Sequence, residues 1–290
     1  MNDTLKAALW MTGAIASFTS MAIAGRAVSL ELDTFEIMMY RSFVGIVIVV
    51  IAARLCGTLS HIHRRKLGLH FIRNISHFAG QNLWFYAITV IPLAQVFALE
   101  FTSPIWAILL SPLILGERLR PIGLVAAAIG FVGILIVARP TPDSVSFGQL
   151  AALMAAIGFA LSALFTRKLT RTEPITCILF YLTVMQAAFG VICAGIDGDI
   201  ALPSAATAPW LVLIACAGLV AHFCLTTALG LAPAAVVMPI DFVRLPLIAL
   251  VGALLYNETI DIFVVIGAAL IFSGNYLNII TESRLSSAKK

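Results

Sequence analysis

Charged side chains are scarce in this chain of 290 residues: 11% of the residues are Asp, Glu, Lys or Arg, whereas 61% are apolar. A water-soluble globule of this size cannot bury so much apolar surface, so the composition excludes a soluble protein and predicts a chain that folds in a bilayer. The net charge of +4 comes from short basic clusters between apolar runs. Such clusters report membrane topology, and we expect no nucleic-acid partner.

Catalytic signatures are also missing. The chain contains no His-Glu-x-x-His motif, no Gly-x-Ser-x-Gly motif and no phosphate-binding P-loop. Residues 195–199 spell Gly-Ile-Asp-Gly-Asp, as in an aspartyl-protease signature, but they fall in a predicted loop and lack a partner aspartate in a suitable helix. We therefore expect no enzymatic activity and no cofactor. Without a nucleotide-binding segment, any activity that requires energy must draw on a gradient or, less simply, on a partner protein.

The cysteines also lack the spacing that is typical of metal ligands or of a disulfide framework. The five cysteines stand at or inside apolar runs, without a Cys-x-x-Cys or Cys/His pattern: Cys56, Cys177, Cys193, Cys216 and Cys224. We interpret them as small apolar packing residues, and we predict neither a disulfide nor a metal site.

What the chain does contain is a series of apolar stretches long enough to cross a hydrocarbon core, which takes about 20 helical residues. We predict ten spans, at 5–25, 34–54, 71–90, 94–114, 121–139, 147–166, 175–196, 209–229, 234–256 and 261–281. The polar segments between them are too short to hold a soluble domain. The predicted fold class is therefore an all-α integral membrane protein with ten transmembrane helices.

Basic residues are distributed unevenly between the two faces that ten spans imply. Only Arg26 and Arg139 fall on the predicted outer side, against fourteen on the inner side. The inner set is Lys6, Arg54, Arg64, Arg65, Lys66, Arg73, Arg118, Arg120, Arg167, Lys168, Arg171, Arg284, Lys289 and Lys290. The positive-inside rule then predicts cytoplasmic N- and C-termini in a multi-pass protein of a bacterial-type inner membrane.

The sequence also repeats itself at an offset of 141 residues. The matched pairs include Pro92/Pro233, Glu100/Asp241, Phe101/Phe242, Glu117/Glu258 and Gly133/Gly274, and further upstream Phe18/Phe159, Arg26/Arg167 and Tyr40/Tyr181. This divides the chain into two five-span repeats, 1–140 and 141–290. Because each repeat has an odd number of spans, the two must face opposite ways, which is the inverted-repeat arrangement of many secondary transporters.

Four charged residues lie well inside predicted spans: Arg41, Glu100, Asp241 and Arg244. A charge at the centre of a spanning helix costs at least about 2.5–3.5 kcal/mol, so each is a candidate for contact with the substrate or a coupling ion. Arg41 enters its span to about the depth of Glu100, so a pair between them is possible. Asp241 and Arg244 are three residues apart, within pairing reach on one helical face.

Two interpretations of these charges remain open. In the first, they form static ion pairs that hold the helices in register, as buried charges usually do. In the second, Glu100 or Asp241 binds a proton or a cationic group of the substrate. As an alternative to the second, Arg41 and Arg244 are instead the groups that meet an anionic part of the substrate.

Polar and aromatic residues on the third and eighth spans extend the candidate site. Gln81 and its repeat mate His222 are candidates for contact with the substrate or coupling ion, and His77, Trp84 and Tyr86 are candidates for lining a cavity. The alternative is that Trp84 and Tyr86 belong to the aromatic belt at the membrane surface, while Gln81 and His222 bond neighbouring helices.

Prolines flank the carboxyl groups in both repeats. Pro104 and Pro112 lie in the fourth span, and Pro239 and Pro246 lie in the ninth. Each proline removes a backbone donor and can interrupt its helix. Interrupted helices at corresponding positions of two repeats indicate a binding site between the repeats.

The segment from Pro104 to Gly133 resembles the drug/metabolite transporter superfamily, EamA type. It carries Leu-Gly-Glu-Arg-Leu at 115–119, followed by an alanine- and glycine-rich span, and Arg41 and the two five-span repeats extend the resemblance over the whole chain. The resemblance implies two inverted five-helix bundles around a cavity lined by spans 1, 3, 4, 6, 8 and 9. It also implies secondary transport of small organic solutes, commonly outward and often proton-linked.

Two departures from the family pattern bear on these expectations. The Gly-Glu pair at 116–117 is replaced by Asn257 and Glu258 in the second repeat, so we expect the tight helix exit at Gly116 not to be reproduced there. Glu100 stands where many members carry a small or neutral residue, which favours a cavity with a specific polar contact.

The sequence thus predicts a secondary active transporter of small metabolites or drugs that works by alternating access, as a monomer or homodimer. Export is the main expectation, with proton coupling left open. The alternatives are an importer of a specific metabolite, such as a vitamin or amino acid, and a passive channel or facilitator.

Overall fold

The computed structural model describes residues 3–116, 121–138, 146–196, 198–259 and 261–287. Every regular element within these ranges is helical. The α-helices are α1 (Asp3–Val28), α2 (Thr34–Leu55), α3 (Leu67–Val90), α4 (Leu93–Glu100), α5 (Ser103–Leu115), α6 (Pro121–Ala138), α7 (Phe147–Leu169), α8 (Ile175–Ala194), α9 (Ala208–Leu231), α10 (Ala234–Val237), α11 (Arg244–Tyr256) and α12 (Ile262–Ser287). Two 3-10 helices cover Leu59–His61 and Met238–Val243. The expectations that concern Glu117, Arg118, Arg120, Arg139, Lys289 and Lys290 lie outside the described residues.

Six helical segments of the described chain are long and apolar enough to cross a membrane. They are α1, α2, α4 together with α5, α7, α8 and α9. Shorter apolar helices lie within α6, α11 and α12. The 24-residue helix α3 is long enough, but it buries the polar side chains of His70, Arg73, Asn74, His77, Gln81 and Asn82. The described part of this membrane protein is therefore all-helical, with six candidate spans by length and composition.

Local sequence explains where several helices begin. Asp33 caps α2 by accepting the Glu36 backbone N–H at 2.7 Å, and the Glu36 carboxylate accepts the Asp33 N–H at 2.9 Å in return. Ser146 and Gln149 form the same reciprocal cap at the start of α7. Such a cap contributes about 1 kcal/mol because it satisfies amide donors that have no partner within the helix.

The largest helix–helix contacts join the two halves of the chain. They are α1 with α9, α3 with α7, α2 with α8 and α6 with α12, and α4 also packs on α11. A shift of 141 residues exchanges α1 with α7 and α3 with α9, so it converts the first pair into the second. The same shift maps α2/α8 and α6/α12 onto themselves, and it converts the α4/α11 contact into the contact between α10 and α5. The packing thus has the internal symmetry of the sequence.

Both halves contain an interrupted helix beside the matched carboxyl groups. In the first half α4 ends at Glu100 and α5 begins at Ser103. In the second half the 3-10 helix holds Asp241, and α11 begins at Arg244, which is the repeat mate of Ser103. Pro104 lies in the first turn of α5, where a missing N–H is harmless, whereas Pro112 is accommodated inside that helix.

The expectation about the second helix exit is wrong. Gly116 ends α5 in the left-handed conformation with φ 70°, and Asn257 ends α11 in the same conformation with φ 53°. The exit is therefore reproduced without glycine. Asparagine tolerates this conformation better than most residues because its short polar side chain bonds the local backbone.

Candidate functional site

A cavity lies between α1, α3, α7 and α9 and the two interrupted helices. These are the first, third, fourth, sixth, eighth and ninth segments predicted from the sequence. Its polar lining consists of Arg73, His77, Gln81, Glu100, Ser103, Ser162, Thr166, His222, Thr226, Asp241 and Arg244. Its apolar lining includes Met11, Phe18, Met21, Trp84, Phe101 and Phe159. Both halves of the chain therefore contribute to one cavity.

An ion-pair cluster lies where the two interrupted helices meet. The Arg244 Nη2 atom lies 2.6 Å from Glu100 Oε1 and 2.5 Å from Asp241 Oδ2. The Trp84 indole N–H donates to Glu100 Oε2 at 2.6 Å, so both oxygens of this carboxylate have partners. Glu100 is 8% exposed and Arg244 is 2% exposed. One guanidinium thus joins two carboxylates that come from different halves.

Aromatic rings enclose this cluster. The Arg244 Cζ atom lies 4.9 Å from the ring centroid of Phe18, 4.8 Å from that of Phe97 and 5.4 Å from that of Phe101. These cation–π contacts stabilise the guanidinium while they exclude water from it. With both carboxyl groups ionised, the cluster carries one excess negative charge. A proton or a cationic group is therefore favoured beside it, because an uncompensated buried charge is costly.

One oxygen of the cluster is free to receive such a group. Asp241 Oδ1 is buried and has no hydrogen-bond partner among the described residues. Since Asp241 lines the cavity, this oxygen is available to a ligand or a proton that enters there.

Two histidines face one another elsewhere in the cavity. The ring centroids of His77 on α3 and His222 on α9 lie 4.6 Å apart, with an interplanar angle of 82°. His77 Nε2 and both ring nitrogens of His222 are buried without a hydrogen-bond partner in the part of the chain that the structure describes. Buried polar atoms without a partner favour the binding of a ligand that can form hydrogen bonds with them.

Arg41 does not pair with Glu100, and that sequence expectation is corrected here. Its Nη1 atom donates to Gln81 Oε1 at 2.7 Å. Trp84 and Arg244 already occupy both oxygens of Glu100. Arg41 lines a second, smaller pocket that also contacts His222. It therefore positions Gln81 at the edge of the main cavity.

Tyr86 does not line the cavity, which corrects a second expectation. Trp84 is buried and faces the cavity, whereas Tyr86 is 37% exposed and contacts the ring of Phe147 at 5.9 Å. The reason is helical geometry, because residues two apart on an α-helix point about 200° apart. Trp84 and Tyr86 cannot both face the same cavity.

Arg73, which the positive-inside rule places among the inner basic residues, lines the cavity and is 2% exposed. It donates to Thr166 Oγ1 at 3.1 Å and to Asn74 Oδ1 at 2.8 Å. A signal was present in the sequence, because Arg73, His77, Gln81 and Trp84 recur every three or four residues along α3. That spacing places all four on one face of the helix.

A second cluster joins α1, α4 and the end of α11 outside the residues that line the cavity. Arg26, near the end of α1, forms an ion pair with Glu258, whose Oε2 accepts the Leu93 N–H at 2.9 Å. The Arg26 Cζ atom lies 4.5 Å from the ring centroid of Tyr256, and Tyr256 donates to the Ile23 carbonyl at 3.4 Å. The ends of α1 and α11 and the start of α4 are thereby tied together.

Comparison with known proteins agrees with this architecture. A family model described as the EamA-like transporter family matches residues 5–139 and again residues 146–280. A riboflavin transporter of Rhizobium johnstonii is 32% identical over 216 residues, which cover 74% of this chain and 71% of that protein. A riboflavin transporter of Brucella anthropi is 33% identical over 217 residues, covering 72% and 75%.

More distant relatives cover the chain from end to end. An S-adenosylmethionine uptake transporter of Rickettsia prowazekii is 23% identical over 298 residues, covering 100% of this chain and 99% of that protein. A solved crystal structure matches with a TM-score of 0.69 at 20% identity, over 97% of this chain and 98% of its own, which shows the shared fold. Because the family model matches nearly the whole chain, this multi-pass membrane protein belongs to the EamA-like transporter family, within the drug/metabolite transporter superfamily.

Proposed function

We propose that this protein is a secondary active transporter that takes up a small metabolite across a bacterial inner membrane by alternating access. The observation that carries the proposal is the cavity shared by both halves, with Arg244 bound to one carboxylate from each. Uptake replaces export as the favoured direction, because the similar proteins include S-adenosylmethionine uptake transporters as well as riboflavin transporters.

The proposed architecture is ten membrane spans in two inverted repeats, 1–140 and 141–290, with both termini cytoplasmic. Three observations support it. The two matches to the family model are themselves offset by 141 residues. The helix interruptions fall at equivalent positions, and the helix pairs exchange under the same offset. An odd number of spans in each repeat then requires opposite orientations, and the unequal distribution of basic residues indicates the cytoplasmic face.

A flat heterocycle such as riboflavin is the first candidate for the substrate. The lining combines the rings of Trp84, Phe18, Phe101 and Phe159 with the unpartnered nitrogens of His77 and His222. Aromatic rings favour stacking on a flat heterocycle, and the free imidazole nitrogens can bond its polar edge.

An S-adenosylmethionine-like substrate is the second candidate, because the cavity carries opposite charges at its two ends. The cluster of Glu100, Asp241 and Arg244 has an excess carboxylate that suits a cationic group. Arg73, which makes no ion pair within the described residues, suits a carboxylate. A molecule that holds both charges would match this arrangement.

In the proposed cycle, the Arg244 bridge connects substrate binding to the movement of the two halves. A proton or a cationic group that arrives at Asp241 Oδ1 weakens the hold of Asp241 on Arg244. The guanidinium then pairs with Glu100 alone, which strengthens the contact between the halves. We infer that the cluster of Arg26, Glu258 and Leu93, which joins α1, α4 and the end of α11 outside the cavity lining, closes the outer end of the cavity in this conformation. The cavity extends from the ion-pair cluster towards Arg73 and Thr166, near the ends of α3 and α7 that are proposed to be cytoplasmic.

The test is uptake of labelled riboflavin and of labelled S-adenosylmethionine into proteoliposomes of known protein orientation, with and without a proton gradient. We expect saturable uptake of one compound, inhibited by excess unlabelled compound. Asp241→Asn should lower that uptake, whereas Tyr86→Phe, on the face of α3 turned away from the cavity, should leave it unchanged. Flux that never saturates would contradict a carrier and favour a channel. Efflux from preloaded vesicles without uptake would contradict the direction.

A further inference from the structure

Three metal-ligating side chains from the two halves of the chain converge away from the cavity. His63 lies just before α3, Glu173 lies just before α8, and Cys177 lies in the first turn of α8. One ligating atom from each of the three, a nitrogen, an oxygen and a sulfur, lies within 4.8 Å of the other two. His63 Nδ1 and Glu173 Oε2 are 3.2 Å apart.

This cluster is buried and incompletely satisfied. Cys177 is 0% exposed, and Glu173 is 6% exposed. Although His63 Nδ1 and Glu173 Oε2 are close, neither atom makes a hydrogen bond of acceptable geometry within the described residues. A buried carboxylate oxygen without a hydrogen bond is costly, so a cation at this point would compensate it.

We propose that His63, Glu173 and Cys177 bind a divalent transition-metal ion, and that Zn²⁺ fits the donor set best. Zinc accepts imidazole nitrogen, thiolate sulfur and carboxylate oxygen at about 2.0–2.3 Å, so tetrahedral ligand atoms lie about 3.3–3.6 Å apart. The pair of His63 and Glu173, at 3.2 Å, is close to this separation. The other two pairs lie within 4.8 Å, so binding requires them to contract by at most about 1.5 Å.

A fourth ligand position is open to water or to His70. The buried His70 side chain places its Nε2 atom 4.0 Å from Cys177 Sγ, and its Nδ1 atom has no hydrogen-bond partner among the described residues. The side chain of His63 is 29% exposed, which leaves a path for the ion to enter.

The ligands are far apart in sequence, and this separation decides what the ion would do. His63 belongs to the first repeat, whereas Glu173 and Cys177 belong to the second. A bound ion would tie the segment between α2 and α3 to the junction of α7 and α8, on the face proposed to be cytoplasmic. The site is distinct from the cavity and does not depend on the identity of the substrate.

The test is metal analysis of the full-length protein purified with a non-histidine affinity tag under reducing conditions. After incubation with Zn²⁺ and dialysis, we expect about one ion per chain. Replacement of Zn²⁺ by Co²⁺ should produce the thiolate-to-cobalt charge-transfer absorption that a sulfur ligand requires. Cys177→Ser and His63→Gln should lose the ion and the absorption.

Two controls keep the test decisive. Cys216→Ser, which alters an exposed cysteine, should retain the ion and the cobalt absorption. His63→Gln changes a partly exposed loop residue, so its elution in size-exclusion chromatography should match the wild type even if Cys177→Ser misfolds. Wild-type protein that holds no zinc, or that holds as much as His63→Gln, would overturn the proposal. Bound cobalt without the thiolate absorption would also overturn it.

Discussion

Arg244, at the start of α11, binds Glu100, the last residue of α4, with 2.6 Å between Nη2 and Oε1. The two residues are separated by 144 positions and lie in different halves of the chain. The contact therefore joins the halves of the chain at the point where both helices are interrupted. Because the same guanidinium also binds Asp241 at 2.5 Å, any ligand that competes for this carboxylate acts on the connection between the halves.

Removal of the guanidinium should destabilise the protein. Arg244→Ala leaves the buried Glu100 carboxylate without its cation, at an expected cost of about 3–5 kcal/mol. Thermal unfolding in detergent should show a lower midpoint and less folded protein. In the triple variant Arg244→Met, Glu100→Gln and Asp241→Asn no charge of the cluster remains, so its stability should recover while transport stays lost. An Arg244→Ala protein as stable as the wild type would contradict a structural role for the bridge.

Substitution of the Asp241 carboxyl group and substitution of the Glu100 carboxyl group should have different effects. Asp241→Asn removes the group with a free oxygen and should lower gradient-driven uptake about tenfold or more, which corresponds to about 1.4 kcal/mol. Glu100→Gln replaces a carboxyl group whose two oxygens both have partners inside the protein. It should therefore lower the midpoint of thermal unfolding as well as uptake. Uptake by proteoliposomes at matched protein density is the measurement. If the Asp241→Asn variant shows normal gradient-driven uptake, the Asp241 carboxyl does not couple transport to the gradient.

The histidine pair should contribute to substrate affinity. His222→Ala removes two free nitrogens from the cavity wall, and one lost hydrogen bond of about 0.5–1.5 kcal/mol corresponds to a two- to tenfold rise in the substrate KM. Thr227→Val is the matched control, because Thr227 lies on the exposed side of α9 and donates to the Phe223 carbonyl. If both variants show the wild-type KM, His222 does not contact the substrate.

The Arg26 cluster should control access from outside. Glu258→Ala removes the ion pair with Arg26 and the acceptor for the Leu93 N–H, so the closed outer end should open more often. In a cysteine-free background with Met21→Cys in the cavity, a membrane-impermeant maleimide added outside should label that cysteine faster. Leu30→Ala, at the 91% exposed residue beyond α1, should leave the labelling rate unchanged. Equal rates with and without Glu258 would place the outer barrier elsewhere.

Several features of this protein follow from local sequence. The apolar composition dictates a membrane fold, since no soluble core can bury it, and reciprocal caps such as that of Asp33 and Glu36 set the starts of helices. Prolines and the matched pair of Glu100 and Asp241 indicated where the helices are interrupted. Local sequence was less reliable at Asn257, where the lack of a glycine led us to expect no tight helix exit. The left-handed conformation at that position depends on how the chain leaves α11, and not on residue type alone.

The composition and the 141-residue offset were sufficient to predict a helical membrane protein of duplicated sequence, because hydrophobic length and internal similarity are properties of the chain itself. Only the tertiary structure decided the partners. It paired Arg244 with Glu100 in place of Arg41, turned Tyr86 away from the cavity that Trp84 lines, and brought His63 beside Glu173 and Cys177. Each of these depends on how α3, α8 and α11 are rotated and packed against the other half. Contacts between residues more than a hundred positions apart leave no periodic signal in the sequence.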